Sequence, residues 1–414
     1  MEPKHLLVQY PDQPYTQKSI ESAIKKLLPG SKIYTSVEKW QNTEKKKSFQ
    51  WSDYDLIDWD HVEGGGTANA YVIRKALIRK NHLAHTLLLY TTKKPESMLA
   101  KQKSSIPSFY FKLSFPDELD ELLADDLWEL GQAFEEESPK WWILKAALAD
   151  KGNGIRLFQT REQLEEIFEE FSPESESEEE EEEVDETTSG YNAGTRVNMS
   201  HMSEWVIQEY VVNPLLLLPS ETYPRVHSSP HKFHLRVYVV AYGGLKVYTY
   251  KPYLALFAPK PYHHPSLDDN QEIIDLAEHL TNTCLQSNLN EQPTKDINVH
   301  CFQHLVGTKI ASGLRAGQEF TLEMMRQIEE KPLPECFEIF GFDYLVDDEF
   351  NVYLLEINVM PDFTQTGPDL QSIVDKLFEN VVERVVIPHF NPDVFPLPSE
   401  EFIEVLDIKV GNSW

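Results

Sequence analysis

Three cysteines in 414 residues, Cys284, Cys301 and Cys336, are too few for a disulfide framework, and none stands in a C-x-x-C pair. No stretch approaches the roughly 18 consecutive apolar residues that span a bilayer. The opening, Met1-Glu2-Pro3-Lys4-His5, lacks the apolar run of a secretory signal. Together these absences lead to the expectation of a reducing compartment, cytoplasmic or nuclear, and of no membrane partner. Positive charge is also scarce: 38 Lys and Arg stand against 68 Asp and Glu, a net charge of −30. Such a field repels nucleic acid and anionic lipid, which need a basic patch to release counterions, so no nucleic acid partner is expected. The G-x-x-x-x-G-K-[ST] loop of P-loop enzymes is missing, and no internal repeat occurs.

What is present suits a folded chain of more than one lobe: 41% of residues are hydrophobic and 11% aromatic, and single cores stop growing at about 250–300 residues. His5 to Tyr10 reads as a strand. Residues 16–29 carry apolar positions at helical spacing, at Ile20, Ala23, Ile24, Leu27 and Leu28. Asp55 to Trp59 is read as a second strand, Glu63-Gly64-Gly65-Gly66 as a boundary or hinge, and residues 68–90 as helical. Further helices are expected from Pro116, over 161–171, over 268–280 and over 369–386. Between Ser172 and Ser200 ten carboxylates crowd into 174–186, six of them the run Glu178 to Glu183, a composition that cannot bury apolar area. Ser175 and Ser177, each with an acid three residues on, are candidates for acidophilic phosphorylation. Trp205 and Phe340 read as core, and His263-His264 as a loop pair. His300, Cys301 and His304 match no standard zinc spacing.

Four segments carry chemistry. Glu338 to Val346 and Asn351 to Asn358 read as a hairpin. A four-residue turn between them would set Val346 opposite Asn351 and Asp343 opposite Leu354, placing Asp343, Glu356 and Asn358 on one face. Three oxygen ligands without sulfur or imidazole suit magnesium; an exposed acidic strand face is the alternative. Lys145 ends an apolar strand and precedes Gly152-Asn153-Gly154-Ile155, which is either a phosphate loop or a plain turn. Gln208-Glu209-Tyr210-Val211 is either a core strand or an adenine edge. Along 231–238, strand alternation puts Lys232, His234 and Arg236 on one face, suited to a polyphosphate or to solvent.

At these residues the sequence resembles the tubulin-tyrosine-ligase-like family, a branch of the ATP-grasp enzymes. The ordered matches are Arg74-Lys75-Ala76, WWILKAALADKGNGI, WVIQEYVVNPLL, KFHLRVYV, HLTNTCLQ and FGFDYLVDDEFNVYLLEINVMP. The resemblance implies an α/β (α+β) ATP-grasp fold with a small N-terminal α/β lobe over 1–66. A central lobe over 67–210, holding the acidic insertion 172–200, and a C-terminal lobe over 211–414 would enclose the nucleotide. It implies ATP contacts at Lys75, Lys145, Gly152, Gly154, Ile155, Gln208, Glu209, Tyr210, Val211, Lys232, His234, Arg236, Lys251, Thr281 and Asn282. Magnesium would be held by Asp343, Glu356 and Asn358, with Arg236 and Glu356 catalytic. The implied reaction joins a free amino acid, tyrosine foremost, to a protein carboxylate through an acyl phosphate. A tubulin tail is the implied acceptor, and the enzyme would act as a monomer. Two departures bear on turnover: His234 replaces a customary aspartate, and Lys251 stands where an arginine is expected near the γ-phosphate. The alternative reading is a protein-interaction module on a catalytically silent ATP-grasp fold.

Overall fold

The structure is a computed structural model. It describes residues 4–40, 48–71, 74–101, 104–149, 152–172, 197, 199, 202–219, 229–243, 246–266, 274–281, 299–301, 336–366, 370–394, 396 and 399–407. The acidic run with Ser175 and Ser177, Asn282, and His304 lie outside the described residues, as do the side chains of His300 and Cys301.

The chain begins with a parallel sheet of β1 (His5–Gln9), β2 (Lys32–Tyr34), β3 (Ser48–Ser52) and β4 (Thr67–Ala68), in the order β2-β1-β3-β4. The helix Pro14–Leu27 returns the chain from β1 to β2 and buries Ile20, Ala23 and Ile24, as the spacing requires. The second strand expected at Asp55 to Trp59 is not formed. That segment is a 3-10 turn, Tyr54–Leu56, followed by a short helix, Trp59–Glu63, capped by the Asp58 carboxylate on the His61 N–H at 3.0 Å. The real strand is β3, hidden because every second residue is polar. Its Gln50 spends its amide on Ser52 Oγ (2.9 Å), Leu56 O (2.7 Å) and Asp58 N (2.9 Å), so a polar face can be buried. Gly66 is needed where it stands, since a Cβ there would lie 1.9 Å from the His61 ring.

An antiparallel sheet follows, ordered β5-β8-β6-β7, from β5 (Ser108–Lys112), β6 (Trp142–Ala146), β7 (Arg156–Phe158) and β8 (Glu204–Glu209). The helix Arg161–Glu170 covers it with Leu164, Ile167 and Phe168, and Trp205 stacks on Phe171 at 5.8 Å between centroids.

The third sheet joins β9 (Leu216–Leu217), β10 (His231–Tyr242), β11 (Lys246–Tyr250), β12 (Leu254–Phe257), β13 (Val299–Cys301), β14 (Phe337–Val346), β15 (Val352–Val359) and β16 (Phe402–Asp407). Its spine is β10, which pairs with β14 along one edge and with β12 and then β11 along the other. One apolar cluster joins the first sheet, through Leu6, Val8, Phe49 and Trp51, to Val240, Phe337 and Ile339 of the third and to the helix Gln371–Val381.

Two helix expectations change. Residues 68–90 are interrupted at Arg79, whose extended backbone (φ −84°, ψ 125°) separates the short helix Lys75–Ile78 from Lys80–Lys93. Of the segment 268–280, residues 274–280 are described, and their helical part is the single 3-10 turn Leu276–Glu278.

Candidate functional site

The hairpin carries the acids, but in a register the sequence did not show. Val346 pairs with Val352, leaving five residues in the turn rather than four. Asp347 organises that turn by accepting from Glu349 N (3.0 Å), Asn351 N (2.7 Å) and Tyr353 Oη (2.9 Å). Tyr344 pairs with Leu354 and Asp343 with Glu356, so Leu355 is a bulge. The extra residue reverses the alternation: Leu354 turns into the core with Tyr344 and Phe342, whereas Glu356 and Asn358 turn to the opposite face, beside Asp343. The three side chains do share a face, through Glu356 opposite Asp343 rather than Leu354.

That face is one wall of a cavity of about 510 Å³ between the second and third sheets. The alternating face of β10 supplies Lys232, His234 and Arg236, while Phe233, Leu235 and Val237 point to the core. Arg236 grips Asp343 with both prongs of its guanidinium, Nη2 donating to Oδ2 at 2.8 Å and Nε to Oδ1. A Cβ on Gly341, next to Asp343 along β14, would lie 2.9 Å from Arg236 Cδ, so glycine clears the path of this side chain. Asn358 Nδ2 donates to Asp343 Oδ2 (3.0 Å) and Glu356 Oε1 (3.2 Å), drawing the two carboxylates together.

The ammonium groups come from both walls, Lys145 from β6 of the second sheet and Lys232 from β10 of the third. Lys145 Nζ donates to Gln208 Oε1 (2.5 Å) and Lys232 Nζ to the Tyr210 hydroxyl (2.8 Å). Burial lowers Lys145 to about 8 and Lys232 to about 7, and in the second case the charge of Lys145 adds to the effect. Burial pushes Glu356 upward, but Lys80, the Asn358 hydrogen bond and Lys145 outweigh it and hold this carboxylate at about 2. Burial drives Asp343 up against the pull of Arg236. The imidazole of His234 is held neutral, lowered to about 3 by burial and by Arg236. Its Nδ1 meets Thr281 Oγ1 at 2.5 Å, and its Nε2 lies 3.6 Å from Asp343 Oδ1 with no hydrogen-bond partner.

Most of the residues singled out from the sequence line this cavity: Lys145, Gly152, Ile155, Gln208 to Val211, Lys232, His234, Arg236, Thr281, Asp343, Glu356 and Asn358. Three do not. Lys75 is exposed on its short helix, and the extended break at Arg79 brings Arg79 and Lys80 to the cavity in its place, Lys80 Nζ donating to Ala149 O at 2.6 Å. Lys251 is exposed beyond β11, its N–H on Glu401 O. Gly154, at φ +68°, packs the loop down: a Cβ there would lie 3.0 Å from both Ala146 and Val197. The sequence reading missed Lys80, though a second Arg-Lys pair, Arg79-Lys80, stands one turn beyond Arg74-Lys75. It also gave no role to His279, the first residue of the motif HLTNTCLQ, which lines the cavity.

Among the described residues no group of three His, Cys, Asp or Glu side chains could hold a metal ion. Two carboxylates and an amide are nevertheless an oxygen set of the kind magnesium accepts, because that ion takes one or two carboxylates and completes its shell with phosphate oxygens and waters.

Known proteins are similar to this chain in sequence and fold. Residues 81–394 match the tubulin-tyrosine ligase family. A probable tubulin–tyrosine ligase, PBY1, of Saccharomyces cerevisiae is 36% identical over 421 residues, covering 97% of this chain and 54% of that protein. The chain thus spans about half of this relative. A probable tubulin–tyrosine ligase of Schizosaccharomyces pombe is 37% identical over 405 residues, covering 92% of this chain and 91% of the relative. The crystal structure of the C-terminal domain of K. lactis Pby1, described as an ATP-grasp enzyme interacting with the mRNA decapping enzyme Dcp2, matches with a TM-score of 0.69. Its sequence identity is 31%, over 98% of this chain and 100% of that one. The chain belongs to the tubulin–tyrosine ligase family and shares its ATP-grasp architecture.

Proposed function

We propose that this chain is an ATP-dependent carboxylate–amine ligase that adds an amino acid, tyrosine foremost, to the C-terminal carboxylate of a protein, with a tubulin tail as the first acceptor to test. The observation that carries the reading is the polarity of the cavity between the second and third sheets. Lys80, Lys145, Lys232 and Arg236 gather in it in a chain of charge −30, facing Asp343, Glu356 and Asn358. Cations concentrated there suit a polyphosphate, and the cavity size lies within the roughly 300–1,000 Å³ of small-molecule sites.

In the proposed reaction an acceptor carboxylate oxygen attacks the γ-phosphorus of ATP and ADP leaves. An amine then attacks the acyl carbon of the resulting acyl phosphate, the C–O bond to phosphate breaks, and the amine gives up its proton as phosphate leaves. Lys145 and Lys232 bind phosphate oxygens, and Arg236 holds Asp343 in place with its fork. Asp343, Glu356 and Asn358 would hold magnesium, which when bound neutralises charge on the phosphate oxygens. Apolar walls at Ile143, Ile155, Leu256 and Leu345 limit water.

The test is mass spectrometry of a tubulin C-terminal peptide after incubation with ATP, magnesium and each amino acid, beside Glu356→Gln. A peptide gaining one residue with the wild type and none with the variant is the expected result. ATP consumption without any peptide product would overturn the ligase assignment.

A second reading, a protein-interaction module, draws on the K. lactis relative, described as interacting with Dcp2, and on His234 as a departure from the family pattern. Wild-type protein that binds no ATP analogue, with or without magnesium, would favour it.

A further inference from the structure

Among the described residues the ammonium of Lys232 is held without a carboxylate. Its hydrogen-bond partner among the described residues is the Tyr210 hydroxyl at 2.8 Å, with the ring centroid 4.2 Å away. An ammonium donates and cannot accept, so the phenol oxygen is the acceptor there and its single proton must go elsewhere. Nδ1 of His279 lies 3.0 Å from that oxygen, and His279 is 4% exposed. Tyr262 stands edge-on to His279 at 5.5 Å and also interacts with the Tyr210 hydroxyl; its own proton goes to Val212 O at 2.6 Å, so its oxygen is a second acceptor within reach of Tyr210. Burial, reinforced by Lys232, keeps the His279 imidazole neutral, so Nδ1 can offer a lone pair.

With His279 as the acceptor, the direction of each bond follows. Lys232 donates to Tyr210 and Tyr210 donates to His279, whose Nε2 carries the ring proton. With the opposite tautomer, Nδ1–H would compete with Lys232 for the phenol lone pairs and leave the phenol proton to the Tyr262 oxygen.

We propose that His279 is a positioning residue of the nucleotide site: by accepting the Tyr210 proton it keeps the phenol lone pair on Lys232 and aims the remaining ammonium protons at an anionic oxygen of the nucleotide. This rests on the nucleotide-binding reading above. The motif HLTNTCLQ thereby acquires a role for its first residue, which reaches the ligand through two others rather than by touching it.

The ionisable groups around Lys232 and its phenol partner are Lys145 from β6, Tyr210 just after β8, Tyr262, His279, and His234 and Arg236 on its own strand. The test therefore reads Lys232 directly. The lysine side-chain NMR titration of the ligand-free protein, with the Lys232 signal assigned by Lys232→Gln, is compared with calorimetric ATP affinity. His279→Leu is expected to lower the Lys232 midpoint and weaken ATP binding about tenfold, as loss of a charge-assisted hydrogen bond does. Tyr210→Phe should reproduce both effects and decides the matter if the leucine variant fails to fold. His279→Asn, whose amide oxygen can stand where Nδ1 stands, should restore both. Unchanged Lys232 titration in His279→Leu and in Tyr210→Phe would overturn the proposal. Wild-type protein that binds no ATP would instead overturn the nucleotide reading, while the ligand-free titration still decides the role of His279.

Discussion

At the scale of single residues the cavity is defined by charges placed on neutral partners. Lys145 and Lys232 rest on an amide oxygen and a phenol, and burial lowers them to about 8 and about 7. A bound phosphate would favour their charged forms, so ligand binding near pH 8 should take up protons. Calorimetry in buffers of different ionisation heat would then show buffer-dependent enthalpies, and affinity should fall as pH rises through 7 to 8. Equal enthalpies in all buffers would show that both lysines are already charged. Gly341 tests the opposite wall. Gly341→Ala puts a methyl 2.9 Å from Arg236 Cδ, so the guanidinium must leave Asp343. ATP binding should weaken about tenfold while the hairpin persists, because the loss is that of one charge-assisted contact. Residue identities of this kind were legible in the sequence. Lysine, arginine and the acid–amide pair at Glu356 and Asn358 announce their chemistry whatever the backbone does.

At the scale of elements legibility failed wherever one residue altered the phase. Alternation correctly predicted the Lys232, His234 and Arg236 face, because β10 runs from His231 to Tyr242 without a bulge. The acidic hairpin was harder, since Leu355 is an unremarkable residue among other apolar ones and nothing in its identity marks a bulge. The same applies to Arg79, whose extended backbone ends one helix and starts the next, so that Lys80 rather than Lys75 reaches the cavity. The bulge is open to experiment. Deleting Leu355 restores continuous pairing and turns either Glu356 or Leu354 to the wrong face. Magnesium-dependent nucleotide binding should be lost and the melting temperature should drop. A variant that keeps both would show that the acids reach the cavity without help from the bulge.

At the scale of the whole molecule the first sheet is joined to the third by shared core and, among the described residues, by a buried ion pair. Arg74 Nη1 donates to Glu338 Oε1 at 2.7 Å, with side-chain exposures of 8% and 0%, and the Glu338 carboxylate also accepts from Tyr71 N at 3.0 Å. Residues 71 and 74, just after β4, are thereby bound to β14, the strand that carries Asp343. The Arg74 guanidinium also lies 3.5 Å from the Tyr54 ring centroid, so the pair is enclosed on the side of the first sheet as well. Removing one partner of such a pair leaves a bare buried charge, and Arg74→Met should cost about 3–5 kcal/mol in urea unfolding. The penalty should depend on pH in a known direction. Burial already pushes Glu338 from 4.5 up to about 7, over the opposing pull of Arg74. The folded state therefore holds this proton after the unfolded chain has released it, and the carboxyl's contribution to stability falls as pH rises between those values. Without Arg74 the folded value rises further, so the penalty should be small at pH 5, where Glu338 is protonated in the folded protein, and larger at pH 8. Arg74→Met combined with Glu338→Leu should recover most of the loss at pH 8, because no charge remains to be buried. A penalty equal at both pH values, and undiminished in the double variant, would place the role of Arg74 in its packing on Tyr54 instead of in its charge.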